Sequence, residues 1–177
     1  GVHRGASETF DESADLTVLG QVPITVVSAG VKSILDIPAT LERLETLGVI
    51  VLGFRTQEFP SFWLTSSGPR LDWRAEDAFA VAAVMHSRDA MGLRSGIVVA
   101  NPLPVEKQLD PRVHAEALDQ ALAEAEERGL TGKEVTPFLL KRIVELTGGE
   151  SLAVNLDIAR NNIEGAARIA KAAVEYP

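Results

Sequence analysis

The chain has 177 residues, 46% of them hydrophobic and 24% charged, the balance of a globular domain with a sizeable core. Lys and Arg total 17 against 25 Asp and Glu, a formal charge of −8, which argues against the basic surface that nucleic-acid backbones require. No window approaches the ~18 consecutive apolar residues of a membrane helix, and zero cysteines exclude disulfides and thiolate metal sites and fit a cytoplasmic setting.

The opening, GVHRGASETFDESADL, is a dense cluster of His, Arg and acids with no strand or helix expected ahead of it. Such polarity belongs on a loop between two elements, and the reading here is that a preceding part of a longer polypeptide is missing. SADLTVLG follows as a short helix that Ser13 or Asp11 can cap. VPITVVSA is a continuous apolar run, the pattern of a strand covered on both faces. PATLERLETLG is a helix with Pro38 in its first turn, Leu41, Leu44 and Leu47 on one face, and Gly48 to end it. VIVLGF is a second buried strand, so the three segments make a right-handed crossover unit.

The middle, RTQEFPSFWLTSSGPRLDWRAED, mixes Pro, Gly and Ser with Phe59, Phe62, Trp63 and Trp73. That reads as an ordered loop or edge strand packed through aromatics. AEDAFAVAAVMHSRDAMGL is a helix, and SGIVVA is a third strand that stops at Asn101 in NPLP. Three helices complete the chain: PRVHAEALDQALAEAEERGL, VTPFLLKRIVELTGG and SLAVNLDIARNNIEGAARIAKAAVEY. No repeat or domain boundary appears, so residues 1–177 are expected to form a single α/β domain. A sheet of three strands is thin for this many helices, which again suggests that strands are missing.

Among residues able to carry chemistry, Lys32 stands first. It lies within VVSAGVKSILD, at the C-terminal end of an apolar strand, where ligands of open α/β sheets collect. Desolvation there would depress its pKa and make the amine a nucleophile toward a carbonyl, with small Ala29 and Gly30 admitting a substrate. The plain alternative is a surface lysine in a strand–helix loop, and the residues by themselves weigh toward it. Asp11, Glu12 and Asp15 have the spacing to hold a hard divalent ion, although helix capping explains them as well. His3 and Arg4, between Gly1 and Gly5, have the chemistry to contact a phosphate or a polar base. His86 and His114 fall within helical patterns and read as structural. Asn155, Asn161 and Asn162 are poor helix formers on the last helix; Asn155 reads as a ligand contact or a buried structural amide. GxGxxG after a strand, GxxxxGK[ST], HExxH and GxSxG are all absent, so ATP, dinucleotide and serine-hydrolase readings have no support.

Five segments in order and spacing, GVHRGASETFDESADL, VVSAGVKSILD, VANPLP, GKEVTPFLL and TGGESL, resemble the pseudouridine-5′-phosphate glycosidases, the indigoidine synthase A-like family. The resemblance covers essentially the whole chain. It implies a three-layer α/β/α fold with a central mixed sheet, incomplete here, and an enzyme placed by convention among the carbon–oxygen lyases. It implies reversible cleavage of the C–C glycosidic bond of pseudouridine 5′-phosphate to uracil and ribose 5-phosphate, through a lysine Schiff base, in pseudouridine catabolism. It implies one Mn²⁺ per subunit and a homotrimer. Carried over residue by residue, the Schiff-base lysine is Lys32 and the metal-associated aspartate is Asp11. The substrate-contacting triplet is Ser13, Ala14 and Asp15, and His3 lies near the base or ring oxygen. Asn155 falls at the uracil, and Asp15 or His3 shuttles protons. The chain departs from the family at Ser28 and Val31, where cysteine and alanine are frequent. Full-length members carry an N-terminal region with a catalytic glutamate, a phosphate-binding lysine and further strands. Two other readings stay open: a Schiff-base lyase or aldolase acting on another sugar phosphate, and a fragment inactive without its N-terminal part.

Overall fold

The computed structural model describes the backbone of residues 1–177 and every side chain except that of Lys133. In chain order the elements are α1 (Ala6–Thr9), α2 (Ala14–Gln21), β1 (Thr25–Ser28), α3 (Ile37–Thr46), β2 (Ile50–Phe54), β3 (Trp73–Ala75), α4 (Ala78–Ala90), β4 (Ile97–Ala100), α5 (Pro111–Glu127), α6 (Val135–Leu146) and α7 (Glu150–Glu175). Asp side chains start three of the helices by accepting backbone N–H bonds: Asp36 from Ala39 at 3.0 Å, Asp77 from Ala80 at 2.8 Å, and Asp110 from Arg112 and Val113. Each such cap is worth about 1 kcal/mol. No helix among the described residues is long and apolar enough to cross a membrane.

The sheet has four strands in the order β1-β4-β2-β3, and every pairing is parallel. The mixed sheet expected from the family pattern is therefore not what these residues build. Each of their strands is followed by a helix or long excursion that returns the chain to the same edge, which leaves only parallel pairings. Antiparallel contacts are confined to isolated bridges in the loops. The fourth strand, β3, is the part of the aromatic middle segment that pairs Leu52 with Trp73 and Phe54 with Ala75. The last strand in sequence, β4, inserts between β1 and β2, so the anticipated crossover partners are not neighbours.

Burial follows from this order. All four residues of β4 are buried, consistent with its unbroken IVVA run between two neighbours. One sheet face packs Leu52, Phe54, Ile97 and Val99 against Val81 of α4 and Ile169 of α7. The other packs Val98 against Leu16 of α2 and Leu44 of α3. The result is α/β/α layering, and fully burying each of these aliphatic side chains contributes about 1.5–3 kcal/mol. A separate cluster joins Ala29, Ile34 and Trp63 to Leu109 and to α5, α6 and α7. It backs the loops that leave the C-terminal ends of the strands, where the candidate residues lie.

Candidate functional site

The stretch that carries Lys32 is bent away from the sheet by one residue. β1 ends at Ser28, and Gly30 turns with a φ of +79°, in the region glycine tolerates. A Cβ at Gly30 would lie 1.9 Å from the Pro60 carbonyl oxygen, so only glycine lets the 59–62 loop lie against the strand exit. The contact is tied by a bridge between Gly30 and Ser61, and by the Phe62 N–H donating to the Ala29 carbonyl at 2.9 Å. Phe62 itself adopts a φ of +69°, an uncommon conformation for a bulky residue, which costs about 1–3 kcal/mol and gathers at functional sites. Its ring lies 5.8 Å from the Lys32 amine. Lys32 is half-buried, and no carboxylate among the described residues forms an ion pair with it.

The polar opening is folded against this exit. Val2 bridges Glu12 on one side and Asp36 on the other. The Ser13 N–H donates to the Gly1 carbonyl at 3.0 Å, and the Asp36 N–H donates to the Val2 carbonyl at 2.9 Å. The single turn α1, absent from the sequence reading, lets the chain double back between these contacts. Ser13 caps α2 by accepting from the Asp15 N–H at 3.3 Å, and Ala14 and Asp15 are exposed on that first turn. The charges of Asp15, Lys32 and Glu12 all lie close to Gly1. Asp15, Gly1 and the Lys32 loop thus share one neighbourhood. Asp15, Gly1, Ser28, Gly30 and Val31 help line a cavity of about 310 Å³ there.

His3 and Asp11 form a second group. His3 Nδ1 lies 3.5 Å from Asp11 Oδ2, and both line a smaller cavity of about 180 Å³ with Ile34, Thr131 and Thr136. Glu12 is committed elsewhere, as a two-pronged acceptor from the Arg43 guanidinium of α3 at 2.9–3.2 Å. No group of three or more His, Cys, Asp or Glu is gathered as a metal cage among the described residues. A single half-exposed carboxylate, Asp11, suits an ion that keeps most of its waters and not a caged one.

Other assignments fall differently. Arg4, expected to face a phosphate or base, donates from Nε to the Ile34 carbonyl at 3.1 Å and from Nη2 to the Ser33 carbonyl at 2.8 Å. Asn155 is exposed on α7 and lines neither cavity. Asn161 and Asn162 serve the fold: Asn101 Nδ2 donates to the Asn161 carbonyl and the Asn162 side-chain oxygen, both at 3.2 Å. Gly165 leaves room for Asn101, whose own N–H donates to the Ser28 carbonyl at 2.7 Å at the end of β1. His114, read as structural, is buried with its Nε2 2.6 Å from Ser33 Oγ, next to Lys32 in sequence. Burial pushes its imidazole below the ordinary value, with Asp119 opposing. Sequence carried no sign of that contact, which spans 81 positions.

The sequence model of the family described as Indigoidine synthase A like protein matches residues 1–172. A pseudouridine-5′-phosphate glycosidase of Frankia alni is 60% identical over 97% of this chain and 48% of its own length. One of Saccharopolyspora erythraea is 52% identical over 97% of this chain and 57% of its own length. The chain therefore spans about half the length of the curated relatives it matches. Among solved structures, the prealnumycin C-glycosynthase AlnA in complex with ribulose 5-phosphate superposes with a TM-score of 0.85 at 31% identity, covering 99% of this chain and 58% of its own. An indigoidine synthase A-like protein of Thermotoga maritima gives 0.84 at 40% identity, covering 96% and 55%.

Proposed function

Because the chain belongs to the indigoidine synthase A-like family, we propose that it forms the nucleophile-bearing part of a pseudouridine-5′-phosphate glycosidase. The observation that carries this reading is the half-buried Lys32 amine, free of any ion pair among the described residues and set just past the C-terminal end of β1 with Asp15 nearby. The C–C bond between C1′ and the uracil ring offers no heteroatom leaving group, so plain hydrolysis is a poor route. Lys32 Nζ instead displaces the ring oxygen at C1′, and that oxygen takes up a proton as the ribose opens. The nitrogen lone pair then forms the C1′=N iminium while the bonding electrons depart with the uracil carbon, which is protonated. Water hydrolyses the iminium and releases ribose 5-phosphate, regenerating the amine.

The proton carriers in this scheme are Asp15 on the Lys32 side and His3 on the other side of Val2. Ser13 and Ala14 present the start of α2 to the substrate, while Asn155, which lines neither cavity, keeps its uracil assignment from the family pattern alone. Asp11 would hold a hydrated Mn²⁺, which supplies positive charge near an anionic substrate. Exposed Leu152, Leu156 and Ile163 on α7 support self-association into a trimer. The lack of cysteine accords with a cytoplasmic setting.

The test is borohydride trapping of the full-length chain with ribose 5-phosphate. The adduct is expected on Lys32, and Lys32→Ala is expected to abolish both adduct and turnover. Normal turnover by Lys32→Ala would end the Schiff-base reading. A second reading, a Schiff-base lyase or aldolase on another sugar phosphate, draws on AlnA, solved with ribulose 5-phosphate, a keto-sugar phosphate with the carbonyl an amine attacks. Selective uracil release from pseudouridine 5′-phosphate across a panel of C- and N-nucleotides separates the two.

A further inference from the structure

Lys32 stands in a stretch without regular secondary structure, closed only by the Leu35 N–H donating to the Lys32 carbonyl at 2.9 Å. An amine on a four-carbon stem reaches a reproducible point only if its backbone is held on both sides. The side before it is held by the 59–62 loop, through the Phe62–Ala29 bond and the Gly30–Ser61 bridge. The side after it is held by Arg4, which bonds the Ser33 and Ile34 carbonyls, and by His114. Ser33 and His114 are 7% and 5% exposed, with Oγ and Nε2 2.6 Å apart. The imidazole is in turn fixed by Trp63, whose ring lies 5.9 Å away, and Trp63 Nε1 donates to the Ser151 carbonyl of α7 at 3.1 Å.

We propose that His114 is a positioning residue for Lys32, fixing through the Ser33 hydroxyl the direction in which the amine enters the site. The inference rests on the reading of Lys32 as the nucleophile. Its physical ground is that a buried polar pair is a poor way to stabilise a core. The pair borders an apolar cluster of Ala29, Ile34, Trp63 and Leu109, and replacing both partners of such a bond by apolar groups of similar shape is often neutral or stabilising. What the pair supplies that apolar packing does not is direction: one hydroxyl, beside the lysine, aimed at one ring nitrogen. A neutral imidazole accepts at one nitrogen and donates at the other, so either tautomer completes the bond.

The test is the double variant Ser33→Ala with His114→Phe in the full-length chain, which leaves neither buried partner unpaired. The readout is the single-turnover rate constant for trapping ribose 5-phosphate on Lys32. A loss of folded protein lowers the amplitude of that signal and leaves its rate constant unchanged. The rate constant is expected to fall roughly ten- to a hundredfold while KM changes far less, the signature of a misaligned nucleophile. His114→Gln, whose amide keeps a polar partner for Ser33, is expected to recover part of the rate. A double variant that traps at the wild-type rate constant would show that His114 only packs, and would overturn the proposal. Should that variant not fold, Ser33→Ala alone carries the same expectation and the same refutation. Wild-type protein that gives no adduct, or one on another lysine, overturns the nucleophile reading and this proposal with it. A Lys32 adduct with unchanged variants overturns this proposal alone.

Discussion

Replacing Gly30 by alanine tests whether the Lys32 turn depends on the contact between the strand exit and the 59–62 loop. At a φ of +79° an L-residue carries a conformational cost, about 1–2 kcal/mol. The new Cβ would also stand 1.9 Å from the Pro60 oxygen and 2.8 Å from its carbonyl carbon, so the backbone must part by more than an ångström to reach ordinary contact at 3.4 Å. Overpacking of that kind costs about 1–3 kcal/mol, and the two terms together give about 2–5 kcal/mol, or roughly 5–15 °C in melting temperature for a chain of this size. Gly5 is the control: its φ is also +79°, but a Cβ there meets nothing within 4 Å. Gly5→Ala should therefore show the conformational cost alone. Urea unfolding of both variants, followed by tryptophan fluorescence, measures the difference. Equal losses for Gly30→Ala and Gly5→Ala would mean that the Pro60 contact places no constraint on the loop, and the account of how the turn is held would be wrong.

Three further outcomes follow from the same geometry. Asp11→Asn removes the carboxylate that lines its cavity among the described residues, and titration calorimetry should show Mn²⁺ affinity reduced by roughly tenfold or more; unchanged affinity would end the proposed metal role of Asp11. Arg43→Ala frees Glu12 and should speed amide exchange at Ser13 and Asp15 while moving the melting temperature little, because the ion pair is only partly buried and remains open to solvent; exchange at the wild-type rate would deny the pair a role in holding that loop. Burial depresses the pKa of His114 in the folded state, with Asp119 opposing. The unfolded chain therefore binds the extra proton more readily, and His114's contribution is fully present above about pH 6.5 and lost as pH falls toward the folded-state value. Melting temperatures should thus fall more steeply below that pH in wild type than in His114→Phe, and parallel curves would show that the imidazole is not held neutral.

The elements with strong local patterns were legible in the sequence: the IVVA run of β4, the Pro38 start of α3, and the Ser13 cap of α2 all form as the pattern requires. β3 was legible only as one of two options, ordered loop or edge strand, because Trp73-Arg74-Ala75 is three residues long with two exposed side chains; its pairing with β2 at the sheet edge decides for the strand. The order of strands was equally hidden, since apolar runs show that a strand is buried but not beside which neighbour. Within the site, the meeting of His3 with Asp11 and of Asp15 with the Lys32 loop came from motifs close in sequence. Arg4 was given a ligand where it has backbone carbonyls, Ser33 was passed over, and His114, rightly read as structural, had no visible partner, because these contacts are set by tertiary packing. An arginine that satisfies two backbone carbonyls has the same sequence signature as one that waits for a phosphate.

The placement of β4 also sets an order of events during synthesis. β1 has one strand neighbour here, β4, and the registers Thr25–Ile97 and Ser28–Ala100 join residues 72 positions apart. When β2 leaves the ribosome, the partner that β1 has in this structure is still to be synthesised. Only the arrival of Ile97–Ala100 closes the sheet on both sides at once, by contacts of long sequence separation that are slow to form. The turn that carries Lys32 thus follows a strand whose partner here arrives 72 positions later, and a nascent chain stalled before residue 97 would lack the β1–β4 pairing beside it.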